Sequence, residues 1–169
     1  MSVPDFNDLR SIATHESAHA VAAARLAITV RKVEIVSDGD LLDGFTHADV
    51  ARAGLVDWVA TVMAGRIAER TILGYQAAQR FHAGSDEERI ADAIAKTTRS
   101  QQVRAMAEQR ARRLVMAHRP AIIGLAGALL DRALAAGGPW EAFEISVGGD
   151  ELIALLGGSE TALLLRRAV

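Results

Sequence analysis

The chain has 169 residues, of which half are hydrophobic, and a formal net charge of −2. That length fits one domain with a sizeable buried core. Nucleic-acid-binding domains are usually basic, so this charge balance predicts no nucleic-acid partner. Because the sequence contains no cysteine, disulfides and thiolate metal sites are excluded, and any metal must be held by His, Asp or Glu.

The hydropathy of the chain predicts neither a signal peptide nor a membrane span. Residues 1–5, MSVPD, lack the basic and apolar regions of a signal peptide. The apolar run Ala121–Leu130 is far shorter than the roughly 20 residues that cross a bilayer. A second apolar stretch, Ala18–Val30, contains His19 and Arg25. We therefore expect a cytoplasmic protein without a membrane partner.

The N-terminal part of the chain predicts a long helix followed by a β-hairpin. Asp5 is a suitable N-cap for a helix over about Phe6–Ile28. The segment Thr29–Val36 reads TVRKVEIV, and its β-branched residues predict a strand. A turn signal, D-G-D, comes next, and Gly44–His47 then predicts a short partner strand.

The rest of the chain predicts helices. Gly74 stands where a glycine commonly ends a helix. Ser85 and Glu88 have the spacing of a capping box, and Pro120 interrupts the helix that begins there. The four predicted helices cover about Asp49–Leu73, Ser85–His118, Ala121–Ala136 and Asp150–Leu156, with a loop over Tyr75–Gly84. We expect a single domain over residues 1–169 that is mainly α with a small β-hairpin or sheet element.

A five-residue motif inside the first predicted helix carries the chemistry. Residues 15–19 read H-E-S-A-H, the H-E-x-x-H pattern of zinc hydrolases. His15 and His19 lie one turn apart, so both imidazoles can converge on one ion. Glu16 is offset from His15 by about 100°. Its carboxylate can therefore reach a water on the ion and take the proton as general base.

A hydrolytic zinc ion usually has three protein ligands and leaves one position for water. The third ligand must therefore come from later in the chain. Acidic residues in the first turn of a helix also have a purely structural explanation, because they favour the positive end of the helix dipole. Residue spacing leaves five candidates open, namely His47, Glu69, His82, Asp86 and Glu87.

Several segments match one known family in order and with compatible spacing. They are Arg10–Ala20 around the motif, Val30–Val36, Gly44–Thr46, Ala64–Glu69 (AGRIAE), Ala83–Asp86 (AGSD), His118–Arg119, Leu125–Leu130 and Asp150–Leu152. Together they cover roughly residues 10–156 and resemble the peptidase domain of the FtsH family of ATP-dependent zinc proteases. Several weak motifs in the right order favour this family more strongly than any one of them would.

The resemblance implies an HExxH-containing helical metallopeptidase domain that hydrolyses peptide bonds. It implies that Zn²⁺ is held by His15, His19 and Asp86, and that Glu16 is the catalytic base. Glu87 remains a rival for the third ligand, because the acidic segment departs from the family's register by one residue. We expect Glu69 to be an acceptor that orients a zinc-bound histidine, as carboxylates commonly do, or a structural ion-pair partner, rather than a ligand.

The resemblance extends only to the peptidase domain. The sequence contains no G-x-x-x-x-G-K-[ST] nucleotide motif. We therefore expect a stand-alone zinc metalloendopeptidase whose substrates are peptides or unfolded proteins. A separate ATPase or adaptor could deliver those substrates. Because the family's domains form rings, a homo-oligomer is a further expectation.

Two other functions stay open at this point. A pseudo-protease with the same fold would act as a regulatory or binding module, although such a module has no need for an intact general base. A different zinc amide hydrolase, such as an amidase or a deformylase-like enzyme, would use the same motif on another substrate.

Overall fold

The computed structural model describes residues 4–74 and 83–156. These residues form a mixed α/β fold that is mostly helical, with six α-helices and a three-stranded antiparallel sheet. The elements are α1 (Phe6–Arg25), β1 (Thr29–Asp38), β2 (Leu42–Asp49), α2 (Leu55–Ala68) continued by a π-helical turn (Glu69–Leu73), α3 (Ala83–Ile94), α4 (Ser100–Ala117), α5 (Arg119–Ala135), β3 (Ala142–Gly148) and α6 (Gly149–Leu155). His82 and most of the predicted loop Tyr75–Gly84 lie outside the described residues.

The first helix begins where the sequence predicts. The side chain of Asp5 accepts hydrogen bonds from the backbone of Asn7 and Asp8, at 2.7 and 3.0 Å, and Asp8 Oδ2 accepts from the Asp5 backbone in return. Such a reciprocal cap satisfies N–H groups that the first turn cannot pair. α1 ends at Arg25, three residues before the predicted end. Most of its side chains from Leu9 onward are buried, so it is the central helix of the fold.

The sheet has the strand order β2-β1-β3, and both pairings are antiparallel. The predicted hairpin is confirmed, because β1 pairs with β2 along its length. Val33 and Ile35 of β1 are fully buried on the face that packs against the helices. The sequence reasoning missed β3. Its pairing with β1 leaves β2 at the edge of the sheet.

The helical predictions for the middle of the chain need two corrections. Asp49 ends β2 rather than starting a helix, and α2 begins only at Leu55. The single long helix predicted from Ser85 is two helices, α3 and α4, which are separated by turns over residues 95–99. Ser85 lies inside the first turn of α3 rather than at its cap. The prediction for Gly74 is confirmed, since its left-handed φ of 76° is one that glycine adopts without strain.

None of the described helices is by itself long and apolar enough to cross a membrane. Only α4 and α5 taken together meet that length and composition, and they are bent by 74° at their junction.

Candidate metal centre

The H-E-x-x-H motif lies on the buried α1 and forms a group that could hold a metal ion. Only 2% of His15, 4% of Glu16 and 8% of His19 is exposed. One ligand atom from each of the three side chains lies within 4.8 Å of the others. The two imidazole centroids are 4.5 Å apart, with the rings nearly perpendicular. The helical spacing that predicted convergence of the two rings is therefore realised.

Each histidine is held by a contact at its Nδ1 atom. Nδ1 of His15 contacts the carboxylate of Glu69, and Nδ1 of His19 lies 2.8 Å from the backbone oxygen of Thr61. A carboxylate and a carbonyl only accept hydrogen bonds, so both Nδ1 atoms carry protons. Nε2 of each ring is consequently the nitrogen that can bind a metal. Glu69 thus contacts His15 in the way that the sequence reasoning expects of it.

Asp86, at the start of α3, meets both of these nitrogens. Its Oδ2 lies 3.0 Å from Nε2 of His15 and 3.1 Å from Nε2 of His19. Two ligand atoms bound to one tetrahedral zinc at about 2.0–2.1 Å are separated by about 3.3 Å. The separations of Asp86 Oδ2 from the two imidazole nitrogens are close to that value, so Asp86 lies where it could join His15 and His19 in holding a metal ion.

The same contacts set the protonation of the metal-free site. Burial lowers the pKa of His15, but hydrogen bonds to Asp86 and Glu69 and the nearby carboxylate charges outweigh it and raise the pKa to about 10. Burial also opposes charge on His19 and on Asp86. Their mutual attraction nevertheless raises the pKa of His19 and holds that of Asp86 well below its usual range. A bound cation would replace the imidazole protons as the partner of Asp86.

Of the other candidates for a third ligand, the three that the structure describes have other partners. Glu87 points to two arginines: its Oε1 contacts Arg66, and its Oε2 lies 2.8 Å from Nη2 of Arg104. Glu69 contacts His15 on the side away from Nε2. His47 is on β2, where its Nε2 lies 3.8 Å from a carboxylate oxygen of Glu34.

Glu16 is positioned by the edge strand β2. The hydroxyl of Thr46 lies 2.7 Å from Oε2 of Glu16 and 2.9 Å from its backbone oxygen. Gly44 makes room for the same side chain, because a Cβ at position 44 would lie 2.6 Å from Cγ of Glu16. The pairing of β1 with β2 therefore fixes where the carboxylate of Glu16 lies.

A second glycine makes room for His15. A Cβ at Gly65 on α2 would lie 2.6 Å from both Cδ2 and Nε2 of the imidazole. The sequence reasoning quoted Gly44, Thr46 and Gly65 as motif letters and assigned them no role in positioning Glu16 or His15. The glycine in AGRIAE was the available signal, since a glycine inside a helix favours close approach by a neighbouring group.

The site opens into a cleft of about 670 Å³. The motif residues of α1 line it together with β2, α2 and the start of α3. Apolar side chains contribute to the walls, among them Phe45, Val50, Trp58 and Val62. Such a cleft is large enough for a ligand to lie beside the two imidazoles and the carboxylate of Glu16.

The structure brings together His15, Glu16, His19 and Asp86 as the sequence reasoning grouped them. The group at His15, Glu16 and His19 is buried and could hold a metal ion. A scan against models of protein families and a search of curated proteins each find no match for this chain.

Proposed function

We propose that this chain is a zinc-dependent metallopeptidase of the FtsH peptidase type. The observation that carries the proposal is the contact of one Asp86 oxygen with Nε2 of both motif histidines, next to Glu16. Two imidazoles and one carboxylate are a ligand set that suits zinc and leaves a fourth position open. The ordered motifs over residues 10–156 add support that is independent of this geometry.

The residues divide the chemistry between them. Zinc, when bound by His15, His19 and Asp86, supplies the Lewis acidity that activates water and polarises a carbonyl. Glu16 takes the proton of the attacking water and returns it to the leaving nitrogen. Because the Thr46 hydroxyl contacts Oε2 of Glu16, we assign this proton transfer to Oε1.

The edge strand indicates how a substrate would bind. β2 pairs with β1 on one side only, and residues 43–48 line the cleft. An extended peptide can add to such an edge through backbone hydrogen bonds. We therefore propose peptides and unfolded protein segments as substrates. Folded proteins would need a separate ATPase or adaptor, because they seldom offer extended segments.

The test uses purified protein, casein as an unstructured substrate and a stably folded domain as the comparison. We expect about one zinc per chain, and cleavage of casein that needs zinc, is unaffected by ATP and stops with a chelator. The folded domain should stay intact. Bound zinc with no cleavage of any peptide would favour a pseudo-protease. Hydrolysis of small amides alone would favour a different zinc amide hydrolase.

A further inference from the structure

The helix that carries Asp86 is attached to the rest of the molecule by few side chains. α3 packs against α2 and α4. Among the α3 side chains that the structure describes, only Ile90 is fully buried. Asp86 and Glu87 precede it by about one turn, with 13% and 33% of their side chains exposed. The position of Asp86 therefore depends strongly on the polar contacts of this first turn.

Glu87 joins that first turn to two other helices. Its Oε1 contacts Arg66 on α2, and its Oε2 accepts from Nη2 of Arg104 on α4 at 2.8 Å. Each carboxylate oxygen thus has its own guanidinium.

Metal ligands must be placed accurately, because ligand distances hold to within about 0.2 Å. Asp86 and Glu87 are adjacent on one helical turn, so a movement of Glu87 also moves Asp86. We propose that Glu87 is a positioning residue of the metal centre. The Glu87 carboxylate binds an arginine on α2 and another on α4. These contacts hold the first turn of α3 in the position in which Asp86 contacts both histidines. This inference rests on the proposed function, since it assigns a role around the same metal site.

The bridge should affect metal affinity more than overall stability. The side chains of Glu87, Arg66 and Arg104 are 33%, 31% and 41% exposed. Ion pairs that are exposed to this extent contribute little to the stability of a fold. Residues that orient metal ligands, in contrast, typically change metal affinity by 10- to 100-fold when they are replaced.

The first experiment measures zinc affinity by competition with a chelator. We expect Glu87→Gln to weaken zinc binding by about tenfold. The thermal midpoint of the metal-free protein should change little. Glu88→Gln is the matched control, because Glu88 is a neighbouring exposed carboxylate on the same helix. It should bind zinc as the wild type does.

A double-mutant cycle tests whether Glu87 acts through the bridge. Arg104→Gln should weaken zinc binding in the same direction, and the double variant should be no weaker than Glu87→Gln alone. Unchanged zinc affinity in Glu87→Gln would overturn the inference. So would a loss of stability in the metal-free variant that accounts for the whole loss of affinity.

Measuring zinc affinity and peptide cleavage separately distinguishes a failure of this inference from a failure of the proposed function. If the wild type binds zinc but cleaves no peptide, and Glu87→Gln weakens binding, the inference stands while the peptidase assignment fails. If the wild type is an active peptidase and Glu87→Gln binds zinc normally, the peptidase assignment stands and the inference about Glu87 fails. A wild-type protein that binds no zinc would overturn both.

Discussion

The two sides of the metal centre are held in different ways. On α1, His15 and His19 are buried. The carboxylate of Glu69 contacts His15, and the backbone oxygen of Thr61 contacts His19. On α3, Asp86 is also largely buried, with 13% of its side chain exposed, but its neighbour Glu87 is held by partly exposed ion pairs. The difference indicates a preformed histidine pair, and a less firmly fixed position for Asp86, the proposed third ligand.

The largest effect should come from the α1 side. Glu16→Gln keeps the shape of the side chain and removes the base, so we expect kcat to fall by about 10²–10⁴-fold while zinc binding is retained. Steady-state kinetics on an unstructured peptide and elemental analysis measure the two quantities. Full activity in this variant would show that Glu16 is not the base.

Removal of the third ligand tests the α3 side. We expect Asp86→Ala to weaken zinc binding by at least about a hundredfold, more than replacement of a residue that merely orients a ligand. The secondary structure should persist, because Asp86 is not part of the hydrophobic core. Circular dichroism and chelator competition provide the measurements.

Asp92→Ala is the control for that experiment, because Asp92 is an exposed acid on the same helix. Its zinc affinity should equal that of the wild type. If Asp86→Ala bound zinc with unchanged affinity, another residue would have to be the third ligand.

The same contrast explains which residues of the candidate site could be predicted from the sequence. The motif on α1 was readable because helical geometry alone places residues four apart on one face. Asp86 is far from the motif in sequence, and its meeting with the histidines depends on how α3 packs. Residue spacing therefore left five candidates open, and only the family resemblance favoured Asp86 over Glu87.

The fold shows a similar division between local and long-range signals. The cap at Asp5, the β1–β2 hairpin and the glycine at Gly74 are local features, and all three were predicted correctly. The strand β3 pairs with β1 across most of the chain, and no local pattern was recognised for it. Likewise, the roles of Gly44 and Gly65 became clear only once the opposing side chains were placed.

A clash at Gly65 would test how rigid the α1 side is. In Gly65→Ala the new methyl group would meet the ring of His15 at 2.6 Å. Overpacking of this kind costs about 1–3 kcal/mol, and we expect that loss of unfolding free energy in the metal-free protein together with weaker zinc binding. Denaturant unfolding and chelator competition measure the two effects.

Gly124→Ala is the matched control on α5, because a Cβ there would meet nothing within 4 Å. Alanine is the better helix former, so this variant should be as stable as the wild type or up to about 1 kcal/mol more stable. A Gly65→Ala protein that behaved like the control would mean that the His15 ring can move, and the proposed rigidity of the α1 side would be wrong.

The smallest expected effect is a change in the pH dependence of the metal-free protein. The pKa of His15 is raised from 6.5 to about 10, so the folded state binds more protons than the unfolded state between these values. The stabilisation from His15 is therefore complete below pH 6.5 and is lost as pH rises through about 10. Asp86→Asn removes the negative charge on α3 but leaves the carboxylates of Glu69 and Glu16, so the decline in stability between pH 6.5 and 10 should become shallower without vanishing. Denaturant unfolding with chelator present, at several pH values, measures this slope. An unchanged slope would mean that Glu69 and Glu16 hold the proton on His15 without Asp86, and the two sides of the site would then be independent in the metal-free protein.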